Sequence, residues 1–419
     1  IRNRNIDLVQ LYICMEKSLA IINENYARCL SITVYLMIKL CKRLNIEGDR
    51  FTNIIITTIF HEMGILYPGY KNCSPLKTEE ITEHSIFAYL LYKEFSPYPE
   101  YARMILYHYK KYGVNGVINN ISVPDEAYLL SLAVTIAEVI ANSKEEDIYD
   151  NVAERIKQDG FKPEFKTVLE QFCEENMLSR IITGEYRVEL LSYIGMIKLS
   201  KAEIMSLLRT FMNAITFRTP HSFAHAKTME TIVSLLGQMT KQNWHMMEKV
   251  RAASLLYNIG MLTLDEETFA KDHSPIELYS LLREAIKDIN VIFKEAELID
   301  IVDMFNATIG ETTFSDKHML MGKDIISGSK MINIADVLAS LMEQRCSAYE
   351  ISCRDTFDEL KEISKTEDLY LPLIELMEDY VDDIEARVKS SQTEVEKQYR
   401  NVISGFEKLR RFLIHRKEN

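Results

Sequence analysis

Apolar residues along this chain recur mostly at steps of three and four. From Leu30 to Leu44 they fall at 30, 34, 37, 40, 41 and 44, which traces one face of a helix. A longer seam runs through Ile374, Met377, Val381, Ile384, Val388, Val395, Tyr399, Val402, Phe406, Leu409 and Leu413. Its heptad-like steps predict a long C-terminal helix, broken where polar Ser391 takes an apolar place. Two readings of that seam stay open: a dimerising coiled coil, or a helix packed along its own domain. One segment disagrees with its surroundings. Asn53–Phe60 (NIIITTIF) is rich in β-branched residues and reads as a strand on propensity alone. A second copy of the pattern overrides that reading.

Thr57–Leu66 reads TTIFHEMGIL, and Ala253–Leu262 reads ASLLYNIGML. Both set an apolar run before a polar pair and then x-Gly-x-Leu, at a lag of 62→258, or 196 residues. Further on, Thr135–Ile140 (TIAEVI) matches Asn333–Leu338 (NIADVL) at a lag of 138→336, or 198 residues. Ordered correspondences at nearly equal lags predict tandem homologous domains. Gly and Pro are scarce, at 14 and 9, and the predicted fold class is all-α. The expected organisation is a first domain over 1–150, a helical linker over 151–200, a second domain over 201–360 and the C-terminal helix over 361–419. Turn signals at Gly160–Pro163 and Thr183-Gly184 fall in that linker.

The formal charge of -13 disfavours non-specific nucleic-acid binding. An anionic ligand needs a local cation, either a metal or a cluster of Lys and Arg. The seven cysteines are odd in number and form no CxxC pair. That pattern predicts reduced thiols in a cytoplasmic setting rather than a disulfide framework or zinc ribbon. No apolar stretch follows Ile1-Arg2-Asn3-Arg4, so no secretory leader is expected. The longest apolar run, around Leu129–Ala141, is far short of the roughly 20 residues that span a bilayer. No membrane insertion is expected.

The chemistry-bearing segments resemble those of the HD-GYP family. Arg218–His225 (RTPHSFAH) resembles its D-P-Y-T-x-G-H opening, and Tyr257–Met261 (YNIGM) occupies the place of H-D-I-G-K. His273–Ile276 (HSPI) resembles H-P-E-I-G, and Ile332–Val337 (INIADV) resembles the A-D-V core of a later helix, with Arg345 near its first Arg. In the first copy His61–Ile65 (HEMGI) fits H-D-I-G-K, and His84 stands where the next motif His would be. Ile105–Val117 (ILYHYKKYGVNGV) resembles I-x-x-H-H-E-R-x-D-G-S-G-Y-P, with His108 at the first His and Tyr109 at the second. Ala137-Glu138-Val139 matches A-D-V.

The resemblance implies two tandem HD-type helical bundles followed by the long C-terminal helix. It implies a divalent metal, iron, manganese or similar, because neutral imidazoles and carboxylates are the ligands such ions take. The implied metal ligands are His61, Glu62, His84, His108 and Glu138 in the first copy and His225, His273 and Asp336 in the second. Outside the family register, each His reads as an ordinary core or surface residue. Lys110, Lys111 and Arg345 are the cations a ligand-binding role would use, though Lys110-Lys111 also reads as a solvated pair. HD-GYP proteins convert cyclic di-GMP to linear products, so the implied setting is bacterial cyclic di-GMP signalling.

The departures are as informative. The opening His of the first copy is Cys29, its metal-binding Asp positions hold Glu62 and Glu138, and the Lys after Gly is Ile65. In the second copy His-Asp has become Tyr257-Asn258, the Lys is Met261, and the double-His segment becomes Asp303–Asn306. Losing an anionic ligand weakens metal binding. The expectation is a non-catalytic or weakly catalytic receptor or interaction scaffold, with no catalytic residue assigned and a homodimer through the C-terminal helix. Two alternatives remain: an active phosphodiesterase using the first site, or a structural pair that binds no nucleotide.

Overall fold

A computed structural model describes residues 6–66, 78–113, 117–118, 121–174, 176–217, 220–264, 268, 275–308, 323–348, 353–367 and 369–414. They are almost entirely helical, as expected. Val117–Ile118 and Ile121–Ser122 form one short antiparallel pair. The chain divides into two compact units. The first comprises Asp7–Ala214 with Val402–Asn419, and the second Ile215–Asn401 with the N-terminal six residues.

The first unit contains α1 (Leu8–Ile22), α2 (Glu24–Arg43), α3 (Gly48–Phe60), α4 (Thr78–Phe95), α5 (Ala102–Leu106), α6 (Asp125–Asn142), α7 (Ile148–Lys157), α8 (Pro163–Glu174), α9 (Met177–Ile182) and α10 (Tyr186–Met196). Helix α11 (Lys201–Thr216) closes it and leads onward. The core sits where α2 packs on α6, with Leu30, Val34, Met37, Leu40 and Cys41 of the sequence-predicted stripe all buried. Asn53–Phe60 lies in α3 and is helical despite its strand propensity. Ile54, Ile55, Ile56 and Ile59 are fully buried, and packing on all sides outweighs the small propensity cost of β-branching. Thr57 and Thr58 donate their hydroxyls to the carbonyls of Asn53 and Ile54, four residues back, so these buried hydroxyls find acceptors.

The second unit contains α12 (Pro220–Met239), α13 (Trp244–Leu256), α14 (Pro275–Glu295), α15 (Ile299–Thr308), α16 (Lys323–Ala348), α17 (Cys353–Ile363) and α18 (Leu371–Glu378). Its centre is α16, packed on by α12, α13, α14 and α15. Ile325–Met342 within α16 is apolar and long enough to cross a membrane by length and composition, but 78% of it is buried inside the protein, as in a core helix.

The predicted C-terminal helix is α19 (Val381–Ile414). In the second unit its Ile384, Val388 and Val395 are buried, Tyr399 stacks on Phe217 at 4.4 Å between ring centroids, and Ser391 accepts a hydrogen bond from Thr231. In the first unit Phe406 stacks on Phe87 at 3.9 Å. The apolar seam therefore packs against its own chain, the second of the two readings its spacing leaves open.

One polar hub fastens α10 to α2. Glu189 accepts hydrogen bonds from Tyr35 (2.8 Å), Tyr193 (3.0 Å) and Arg180 (3.3 Å) and pairs with Lys39. Partial burial raises the Glu189 pKa, but Lys39 and the two phenols outweigh it and hold the carboxyl down to about 2. A depressed carboxyl contributes stability above its unfolded pKa of about 4.3, and that contribution is lost as pH falls toward the folded value. The stability difference between wild type and Glu189→Gln should be constant from pH 7 to 5 and shrink steadily between pH 4.5 and 2. Urea denaturation across that range checks it.

Candidate metal centre and its closed counterpart

Helix α3 ends at Phe60 and continues as a 3-10 turn, His61–Leu66, all of it buried. Its glycine explains why the turn fits. A β-carbon on Gly64 would lie 2.2 Å from the carbonyl oxygen of His84 and 2.8 Å from its Nδ1. Only a residue without a side chain allows α4 that close, and the approach delivers His84 beside His61 and Glu62. The third imidazole, His108, follows α5 directly. Its ring meets His61 edge-on at 5.5 Å and His84 at 6.0 Å.

The three histidines are 0% exposed and Glu62 is 5% exposed. His61 Nδ1 lies 2.6 Å from the carbonyl of Thr58, and His108 Nδ1 lies 2.5 Å from that of Ile105. A carbonyl accepts only, so both Nδ1 atoms carry hydrogens and both Nε2 atoms present lone pairs when the rings are neutral. His61 Nε2 is 3.1 Å from Glu62 Oε1, and His84 Nε2 is 3.4 Å from Oε2. Neither contact has hydrogen-bond geometry. The Nε2 atoms of all three rings, and Nδ1 of His84, are buried without a hydrogen-bond partner.

The charges fit that picture. Burial raises the Glu62 pKa, but His61, His84 and His108 together hold the carboxyl down to about 2. Burial pushes His84 down to about 4 against the pull of Glu62. His108 is driven well below the usual range, first by burial and then by the other two rings. Glu138 on α6 is pushed up to about 7, by burial and then by Glu62, and accepts a 3.3 Å hydrogen bond from Tyr109. Cys29 on α2 is buried, and burial with the nearby charges of Glu62 and Glu138 keeps its thiol protonated.

The Glu62 carboxyl and the unpartnered ring nitrogens thus share one dry site, an arrangement that a cation relieves. The donor types and their orphaned atoms fit a divalent metal. Among the described residues no three His, Cys, Asp or Glu side chains are already set around one point for an ion, so binding requires a side chain to rotate.

In the second unit, too, a helix leads into a buried glycine-containing turn, with different side chains around it. Helix α13 runs into a buried 3-10 turn, Tyr257–Leu262. Its Gly260 packs on Ala285 of α14, 3.2 Å from an added β-carbon, where Gly64 meets a histidine. Tyr257 meets Phe305 edge-on at 6.1 Å, as His61 meets His108. Asp336 of α16 is fully buried and has both carboxylate oxygens engaged. Tyr257 donates to Oδ2 at 2.8 Å, and His225 Nε2 lies 2.9 Å from Oδ1. Asn258 donates to the carbonyls of Ser254 and Leu255. Hydrogen bonds thus engage both oxygens of Asp336, while Asn258 Oδ1 is buried without a hydrogen-bond partner.

Of the sequence-predicted residues, His61, Glu62, His84 and His108 come together, with Glu138 joined through Tyr109. His225 and Asp336 meet each other. His273 and the side chain of Arg345 lie outside the described residues. Lys111 is exposed and Lys110 partly so. Arg155, on α7 within electrostatic reach of Glu138, carried no sequence signal, because no motif spacing marks it.

No protein-family model matches the chain, and no curated protein is significantly similar to it. Among solved structures it is similar to a cyclic GMP-AMP specific phosphodiesterase of V. cholerae (V-cGAP3), with a TM-score of 0.54 and 13% identity. The match covers 90% of this chain and 98% of that one. At that identity the likeness shows a shared fold.

Two substitutions test the frameworks. Gly64→Ala should destabilise the first unit by about 2–3 kcal/mol, and Gly260→Ala by less than about 1 kcal/mol, because one β-carbon meets backbone and the other a methyl group. Tyr257→Phe removes a donor to a buried carboxylate and should cost about 1–2 kcal/mol. Denaturant melts of the three variants read all three outcomes.

Proposed function

We propose that the chain is a signalling protein related to cyclic dinucleotides, built from two eroded HD-GYP-like domains. The first unit binds a divalent metal, and the second serves as a structural partner. What carries the reading is the set of buried, partnerless Nε2 atoms around the Glu62 carboxylate, against an Asp336 carboxylate with both oxygens engaged. The lags agree with this pairing: 61→257 is 196, 108→305 is 197 and 138→336 is 198. The fold shared with a cyclic dinucleotide phosphodiesterase supports the ligand class.

His61, His84, His108 and Glu62 would hold the ion, with Glu138 alongside. A divalent ion there supplies positive charge that polarises a phosphoryl group. The chain's own residues exclude water, fix the tautomers of His61 and His108 through backbone carbonyls and keep Glu62 ionised. With Glu where the family has Asp, Cys29 where it has His, and one unit closed, we read the protein as a cyclic dinucleotide receptor or scaffold that turns its ligand over weakly or not at all. The surviving imidazole cluster favours one alternative, a phosphodiesterase working from the first site.

Metal analysis after anaerobic loading with Mn(II) or Fe(II) should find about one ion per chain. His61→Ala and His84→Ala should lose it, whereas Asp336→Asn should keep it. A metal-free wild type would sink the proposal. In the same samples, cyclic di-GMP and cyclic GMP-AMP should bind without efficient hydrolysis. Linear product that disappears in His61→Ala would replace the receptor with the enzyme.

A further inference from the structure

Near the first site sits a cation with one N–H left without a hydrogen-bond partner. Arg155, near the C-terminal end of α7, stacks its guanidinium over the ring of Phe161 at 4.5 Å. Its Nη1 is buried and has no hydrogen-bond partner. Glu138 lies within electrostatic reach, but it accepts its hydrogen bond from Tyr109 and forms no ion pair with Arg155. Arg155 is half-buried, and the unfilled Nη1 of a fork held against an aromatic face leaves a donor whose desolvation is uncompensated. The same geometry is pre-organised for a planar or tetrahedral oxyanion.

The surroundings tie this cation to the cluster. The chain leaves His108 as Tyr109-Lys110-Lys111-Tyr112. Tyr109 reaches Glu138, and the Tyr112 amide donates to the carbonyl of Gly160 at 2.8 Å. Gly160 has a φ of +108°, and an added β-carbon would lie 3.1 Å from the Lys111 stem. Gly160 therefore holds the Lys111 stem against the turn that carries Phe161, the ring under Arg155. Lys111 itself is exposed, so its ammonium adds positive charge at the edge of the same feature.

We infer that Arg155, backed by Phe161 and flanked by Lys111, forms an anion subsite beside the first-unit cluster that takes a phosphoryl oxygen of a phosphate ester. It deepens the reading of that unit, resting on it for the ligand class but not for the presence of a subsite. In a chain with a net charge of -13, such a site localises a phosphate that the overall field repels.

The test is calorimetric titration of the full chain with inorganic phosphate at constant ionic strength, in metal-free and metal-loaded form, alongside metal analysis. Wild type should bind phosphate in both forms. Arg155→Met, which keeps the stem on Phe161, should bind about tenfold more weakly or worse and keep the wild-type metal content. Arg155→Lys keeps charge without the fork and should fall between, and it is the variant read if Arg155→Met does not fold. Equal affinity in the variants, or no phosphate binding by wild type, overturns the subsite. Arg155-dependent binding in a chain that takes up no metal upholds the subsite while removing the metal. Normal metal uptake with binding indifferent to Arg155 does the reverse.

Discussion

The approach of Gly64 to the backbone of His84 is the contact on which the first-unit cluster depends. Neither residue is remarkable for its own chemistry there; what matters is that α4 comes within a carbon's width of the turn after α3. At that separation the imidazole of His84 has to share space with His61 and Glu62, and all three are sealed from water. Burial then biases their charge states: it favours the neutral forms of His84 and His108, and positive charge on the surrounding rings favours the ionised form of Glu62. A packing constraint is thereby converted into an electrostatic one.

The second unit shows what the framework does when that constraint is relaxed. Its turn glycine meets Ala285 where the first unit's meets His84. Tyr257 replaces a lone pair with an O–H donor, and His225 and Tyr257 occupy both oxygens of Asp336. A buried carboxylate can be stabilised by a cation or by donors. The first unit is arranged for the former and the second has the latter. The difference lies in a few side chains around each turn: His84 and His61 in one, Ala285 and Tyr257 in the other.

Much of this was legible in the sequence. The three-and-four spacing of Leu30–Leu44 marked a buried helix face, and the paired x-Gly-x-Leu segments led to the two 3-10 turns. They also showed that NIIITTIF is helical, which propensity alone gets wrong because it ignores burial on every side. The His61, Glu62, His84 and His108 set was legible through family register rather than composition. Three things were not. The C-terminal seam has the same spacing whether it pairs with another chain or with its own, and its contacts with Phe87, Phe217 and Thr231 are not written in that spacing. Ala285 could not be paired with His84, because the intervening segments differ in length and a methyl group leaves no chemical trace. Arg155 had no motif, and its significance comes from what it lacks: an acceptor for a buried N–H.

The closed state of the second cluster bears on where any chemistry can reside. Breaking the bonds to Asp336 to admit an ion would give up two charge-assisted hydrogen bonds in a buried site, each worth about 1.5–3 kcal/mol. The first cluster gives up no such bonds, since its Nε2 atoms have none to lose. Its cost is the rotation of a side chain toward a common point. An ion would therefore meet opposite balances in the two units, and the proposed metal-dependent behaviour would concentrate in the first.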